Sequence, residues 1–169
     1  MTLSVAPIAD PAVINAVLQS PWIAARIRHD TREPGYIDSP NIEYHAARVD
    51  GRIAGVFMAI RHSEYELEVH AALARWAIRH GRTLGAMFLD QLWEDLDLLR
   101  ITAPVLATLP SAVNWCVKLG FEREGVKRSA CRIDGEPVDV VYLGMLRSEE
   151  PGNAVHNRQL VEGSSQNLD

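Results

Sequence analysis

The chain has 169 residues, 47% of them apolar and 23% charged, with a formal net charge of −5. That is the composition of a soluble globular protein, long enough for one domain with its own core. The acidic balance argues against nucleic acid as the main partner and no apolar run reaches the length of a membrane span, while two cysteines, Cys116 and Cys131, make no disulfide framework.

An opening strand is predicted near Leu3 to Ile8. Asp10 and Pro11 start a helix: a capping acid, then a proline whose missing N–H costs nothing at the first helical position. Val13, Ile14, Val17 and Leu18 supply its apolar face. Ser20 and Pro21 repeat the signal for a second short helix through about Arg28, and residues 29–42 have loop composition. Tyr44 to Val49 and Arg52 to Arg61 read as strands joined by Asp50 and Gly51, a two-residue hairpin turn. Tyr65 to Leu73 is a further strand; Ala74 to Ile78 either extends it or begins a turn of helix. From Arg82 to Leu99, Leu84, Phe88, Leu92, Leu96 and Leu99 recur every three or four positions, as on an amphipathic helix. Ile101 to Thr108 is a short apolar strand. Pro110 opens a helix on which Ala112, Trp115, Cys116 and Leu119 share a face, and Gly120 suits the left-handed position that ends it. Val126 to Ile133 and Val138 to Met145 form a second hairpin about Asp134 and Gly135. The sum is an α+β domain, a mixed central sheet flanked by helices over residues 1–147, with a polar tail over 148–169. Val155, Leu160, Val161 and Leu168 are too few to give that tail a core, so an ordered tail is expected to rest Leu160 and Val161 on another subunit or protein.

Three segments carry a family likeness. They are Glu68-Val69-His70 on the central strand, His80 to Gly85 opening the long helix, and the helix 110–119 followed by Leu119-Gly120-Phe121. Together they resemble the GNAT superfamily of acyl-CoA N-acyltransferases. Gly120 to Gly125, Lys127 and Arg128, Asp134 and Gly135, and Asp139 are most similar to GNAT-like proteins encoded by bacteriophages and prophages. The resemblance implies a GNAT-like sheet in which the strand at 67–72 and the strand from Val105 to Thr108 are neighbours that diverge. It implies acetyl-CoA as the cofactor, its pantetheine arm along the backbone at Val69 and its pyrophosphate at His80, Gly81, Arg82, Thr83 and Gly85. A helix N-terminus favours anions there. His80 stands where the family has Gln or Arg, and Thr83 where it has a middle glycine. The implied activity is acetyl transfer to a primary amine, on a small molecule or a protein.

Glu66, Glu68 and His70 alternate and so project from one face of their strand. Glu68 or His70 is the candidate base for the amine. The family's thiolate-protonating tyrosine is replaced here by Cys116. Its sulfur reaches less far, so Cys116 acts through a water or serves only as a small buried residue. Tyr142 is either a substitute acid or packing. The histidines form no metal spacing with the cysteines or acids, so no metal is expected. The other reading is a GNAT scaffold without turnover, a structural or assembly protein of a phage particle whose tail binds a second copy or phage structural proteins. The expected location is the cytoplasm, or the virion for a phage product.

Overall fold

Asp10 acts as the sequence suggests. Its Oδ1 accepts the N–H groups of Ala12 at 2.9 Å and Val13 at 3.4 Å, which would otherwise be orphan donors of the first turn. The computed structural model describes residues 1–95 and 97–149; Leu96 and the tail from 150 onward, with Leu160 and Val161, lie outside the described residues. The elements are β1 (Leu3–Pro7), α1 (Pro11–Leu18), α2 (Pro21–Ile27), β2 (Ile42–Val49), β3 (Arg52–Arg61), β4 (Glu66–Leu73), α3 (Gly81–Trp93), β5 (Arg100–Leu106), α4 (Pro110–Lys118), β6 (Glu122–Ile133) and β7 (Glu136–Leu146). Both two-residue turns form as expected. Asp50 and Gly51 have φ of 49° and 78°, Asp134 and Gly135 of 51° and 82°, the positive values that a turn matched to strand twist requires.

Seven strands make one sheet in the order β1-β2-β3-β4-β5-β7-β6. Every neighbouring pair is antiparallel except β4 with β5. That parallel pair joins only at Glu66 with Arg100, Leu67 with Ile101 and Glu68 with Thr102. Past Glu68, β4 follows β3 until Leu73 pairs with Gly55, and β5 follows β7 until Leu106 pairs with Val140. The two central strands therefore part in a notch, as the resemblance implied.

The main core lies between the sheet and the α3–α4 layer. Phe88 of α3 stacks on Phe57 of β3 with ring centroids 4.7 Å apart, and Leu84, Cys116 and Leu119 belong to the same cluster. A smaller cluster of Ile14, Tyr44 and Val56 seats α1 on the opposite face. Gly55 is obligatory at its position, since a Cβ there would collide with the Ala72 carbonyl oxygen.

Two expectations need correcting and one open point is settled. The helix predicted from Arg82 to Leu99 stops at Trp93, and Leu99 is 55% exposed. Its end is set from far along the chain. The Arg147 guanidinium donates to the carbonyl oxygens of Trp93, Asp95 and Leu98 and lies over the Trp93 ring. Carbonyls satisfied by a cation need no further helical turn. Residues 75–80 form a 3-10 turn that runs straight into α3, which settles the ambiguity at Ala74 to Ile78. Finally, β6 begins at Glu122, not Val126, because bulges at Arg123/Gly125 and between Lys127 and Cys131 let the strand keep its pairing with β7.

Candidate functional site

Alternation along β4 puts Leu67 and Val69 into the core and leaves Glu66, Glu68 and His70 half-buried on the other face. Glu68 is the hub. Its Oε1 lies 2.7 Å from Nε2 of His70, and its Oε2 lies 2.9 Å from Nε2 of His62, which follows β3. An ionised carboxylate only accepts, so both imidazoles present an N–H to it. The Glu68 side chain is 20% exposed, against 37% for His70 and 48% for His62. The His70 N–H, above all, and that of His62 hold the Glu68 carboxyl below the usual carboxylate range, against the burial that pushes it up. Glu68 is therefore charged at neutral pH and is a weak proton acceptor. The contact through Nε2 fixes the orientation of the His70 ring. The structure thus joins the two residues that the sequence offered as alternatives. His62 was not foreseen, because it lies in the turn outside the β4 alternation.

Beside this hub lies a separate polar chain on the same face. The Thr102 hydroxyl donates to Glu66 at 2.7 Å, Arg100 Nε donates to Thr102 at 3.2 Å, and Arg100 Nη2 meets Glu124 at 2.5 Å. Glu66 is accounted for there. Tyr142, opposite Pro104, shares this face.

The mouth of the notch has a bridge. After α2, Asp30 accepts from the backbone N–H of Asp134 at 2.6 Å and of Gly135 at 2.7 Å, and Arg28 pairs with Asp134 at 2.8 Å. The Asp30 N–H donates to the Arg132 carbonyl oxygen at 3.0 Å. The β6–β7 turn lies at the same end of the sheet as the C-terminal ends of β4 and β5, so this segment ties the α1–α2 side to the far hairpin. Arg75, just after β4, reaches back over the Trp22 ring of α2.

On the α3–α4 side the expected cofactor residues fall out differently from one another. Arg82 and Thr83 are exposed on the first turn of α3, and His80 precedes it, accepting from Arg79 Nε at 2.9 Å. Gly81 is buried and its N–H is already bonded to the Ile78 carbonyl oxygen. A Cβ on Gly85 would lie 2.7 Å from Trp115 Cζ2 and 2.9 Å from Leu119 Cδ1, and one on Gly81 would lie 3.4 Å from Trp115 Nε1. Smallness at Gly85 is demanded by Trp115 and Leu119, whereas at Gly81 the tightest neighbour of a Cβ would be Leu73 Cδ1 at 3.2 Å. Trp115 Nε1 is itself buried without a partner. Val69 supplies backbone at the start of the notch and a buried side chain to the core. Cys116 is in the core, where burial pushes its thiol up to about 11.

Two features stand apart. A cavity of about 220 Å³ lined by Glu43, Arg61, Gln91 and Asp95 among others opens on the α3 face, not the Glu68 face. Among the described residues no group of His, Cys, Asp and Glu converges as metal ligands would, and no helix is long and apolar enough to cross a membrane.

No family model and no curated protein sequence matches the chain. Solved structures do. The spermidine N-acetyltransferase of Vibrio cholerae in complex with CoA and spermine is similar with a TM-score of 0.72 and 20% identity, covering 87% of this chain and 96% of that one. A chimera of the Vibrio cholerae enzyme with hSSAT gives 0.73 and 20%, over 86% and 96%. At this identity the likeness shows the fold, which is that of the GNAT acetyltransferases.

Proposed function

We propose that the protein is an N-acetyltransferase that moves an acetyl group from acetyl-CoA to a cationic amine. The observation that carries this reading is the Glu68–His70 pair on β4, at the point where β4 and β5 part. The neighbours that share the fold are spermidine N-acetyltransferases, one of them in complex with CoA and spermine. A polyamine is therefore the first acceptor to try, and three carboxylates, Glu66, Glu68 and Glu124, against the single guanidinium of Arg100 suit a positively charged one.

The residues present fit the cofactor. Backbone of β4 beyond Glu68 borders the notch with no strand partner on the β5 side, which suits an arm carrying amide groups. Arg79, Arg82 and Thr83 offer charge and a hydroxyl at the start of α3 for a diphosphate. The unpartnered Trp115 N–H beside Gly81 marks a donor still in want of an acceptor in that region. When bound, acetyl-CoA supplies the activated acetyl thioester. His70 takes the proton of the ammonium, Glu68 holds the resulting imidazolium, and the segment 28–32 limits water at the mouth. Cys116 is too buried and too weak an acid to serve the leaving thiolate, which leaves solvent or Tyr142 as the proton source.

A scaffold without turnover is the second reading. The bonded Gly81 N–H and the packing role of Gly85 favour it, because they weaken the diphosphate cradle. An assembly role in a phage particle rests on the sequence resemblance alone. Titration calorimetry with acetyl-CoA separates the two readings: binding weakened by Arg82→Glu supports the enzyme, and no heat at millimolar ligand leaves only the scaffold.

A further inference from the structure

The second imidazole on Glu68 has no part in the scheme above. His62 stands one residue past β3, and its own backbone N–H donates to the Glu66 carbonyl oxygen at 3.1 Å, closing the β3–β4 connection. Its Nε2 lies 2.9 Å from Glu68 Oε2, while Oε1 is taken by His70 at 2.7 Å. The terminal torsion of a glutamate is broad, so a carboxylate held at one oxygen can swing. A carboxylate held at both oxygens, by groups on two different elements, cannot.

We propose that His62 is a positioning residue: it pins the outer oxygen of Glu68, which keeps the inner oxygen on His70 and fixes the tautomer in which Nδ1 of His70 carries the lone pair. The inference rests on the reading of His70 as the base. The carboxylate and guanidinium groups beside this hub are engaged elsewhere. Glu66 is held by Thr102 and Arg100 of β5, and Arg100 is held by Glu124 of β6. From the covering helices, α1 brings no ionisable side chain, and Arg26 of α2 lies over Trp22. From β2, Tyr44 gives its hydroxyl oxygen to the Ile37 N–H. Among the described residues His62 and His70 are thus the two side chains that meet Glu68, and only His70 is needed for a base.

The test titrates the Glu68 carboxyl by 13C NMR in the wild type, His62→Ala and His62→Gln, all three checked for unchanged fold, and measures acetyl transfer in parallel. His62→Ala should raise the Glu68 midpoint, and His62→Gln, whose amide N–H reaches the same oxygen, should restore most of the difference. With a working acceptor, His62→Ala should lower kcat about tenfold, the equivalent of one charge-assisted hydrogen bond, with the KM for acetyl-CoA within about twofold. An unmoved Glu68 midpoint in His62→Ala, or a Gln variant as impaired as the Ala variant, overturns the positioning role. A shifted midpoint that Gln restores, in a protein that transfers no acetyl group, leaves the pinning of Glu68 standing and overturns the reading of His70 as the base.

Discussion

Gly85→Ala separates packing from cofactor binding at the start of α3. In an open helix the change would stabilise by about 1 kcal/mol, because glycine is the poorer helix former. Here the new Cβ would lie 2.7 Å from Trp115 Cζ2 and 2.9 Å from Leu119 Cδ1. Real Cβ atoms do not approach that closely, and an indole is a rigid plane that can yield only by shifting as a whole. Overpacking of this kind costs about 1–3 kcal/mol. Against the propensity gain, a net loss of about 1 kcal/mol remains, or a fall in Tm of about 3 °C for a domain of this size. The assay is thermal unfolding of Gly85→Ala beside Thr83→Ala. The latter is exposed on the same helix and should gain a few tenths of a kcal/mol. Acetyl-CoA affinity is measured on the same samples. If Gly85 instead served close backbone approach to phosphate, Gly85→Ala would raise Tm and lose affinity, and that pair of results would refute the packing argument.

Further outcomes can be checked alongside it. Cys116→Ala should leave acetyl transfer within a few-fold, since loss of a true general acid costs about 10²- to 10⁴-fold; at pH 8, with the Cys116 thiol near 11, an aromatic disulfide reagent should label half-buried Cys131 first, and equal labelling rates would contradict the burial. Glu68 is lowered in the folded state, so its contribution is complete above the unfolded value of about 4.3 and is lost as pH falls through the folded value. Melting curves from pH 5 to 3 should therefore fall more steeply for the wild type than for Glu68→Gln, and parallel curves would deny the shift. Asp30→Ala should speed amide exchange at Asp134 and Gly135 by about tenfold with little change in Tm, because the hydrogen bonds it removes lie at the surface; unchanged exchange would mean that other groups hold the bridge.

Much of the fold was legible along the chain because its signals are local. Asp10 with Pro11, the Asp50-Gly51 and Asp134-Gly135 turns, and the left-handed Gly120 are backbone requirements met within a few residues. The β4 alternation likewise placed Glu66, Glu68 and His70 on one face without reference to the rest of the molecule. Helix length was not legible in the same way. The apolar period carries on past Trp93, but Arg147, more than fifty residues away, satisfies the carbonyls at that end.

The sequence by itself determined the element order, both hairpin turns and the facing of the β4 acids, since each follows from φ preferences or a period of two. Only the tertiary structure decided what those residues do. It brought His62 onto the outer oxygen of Glu68 and tied Asp30 to a turn more than a hundred residues distant. It also set Gly85 against the Trp115 indole, and buried the Cys116 thiol. Each of these is a meeting of separate elements, and its energy depends on distances that no local pattern encodes.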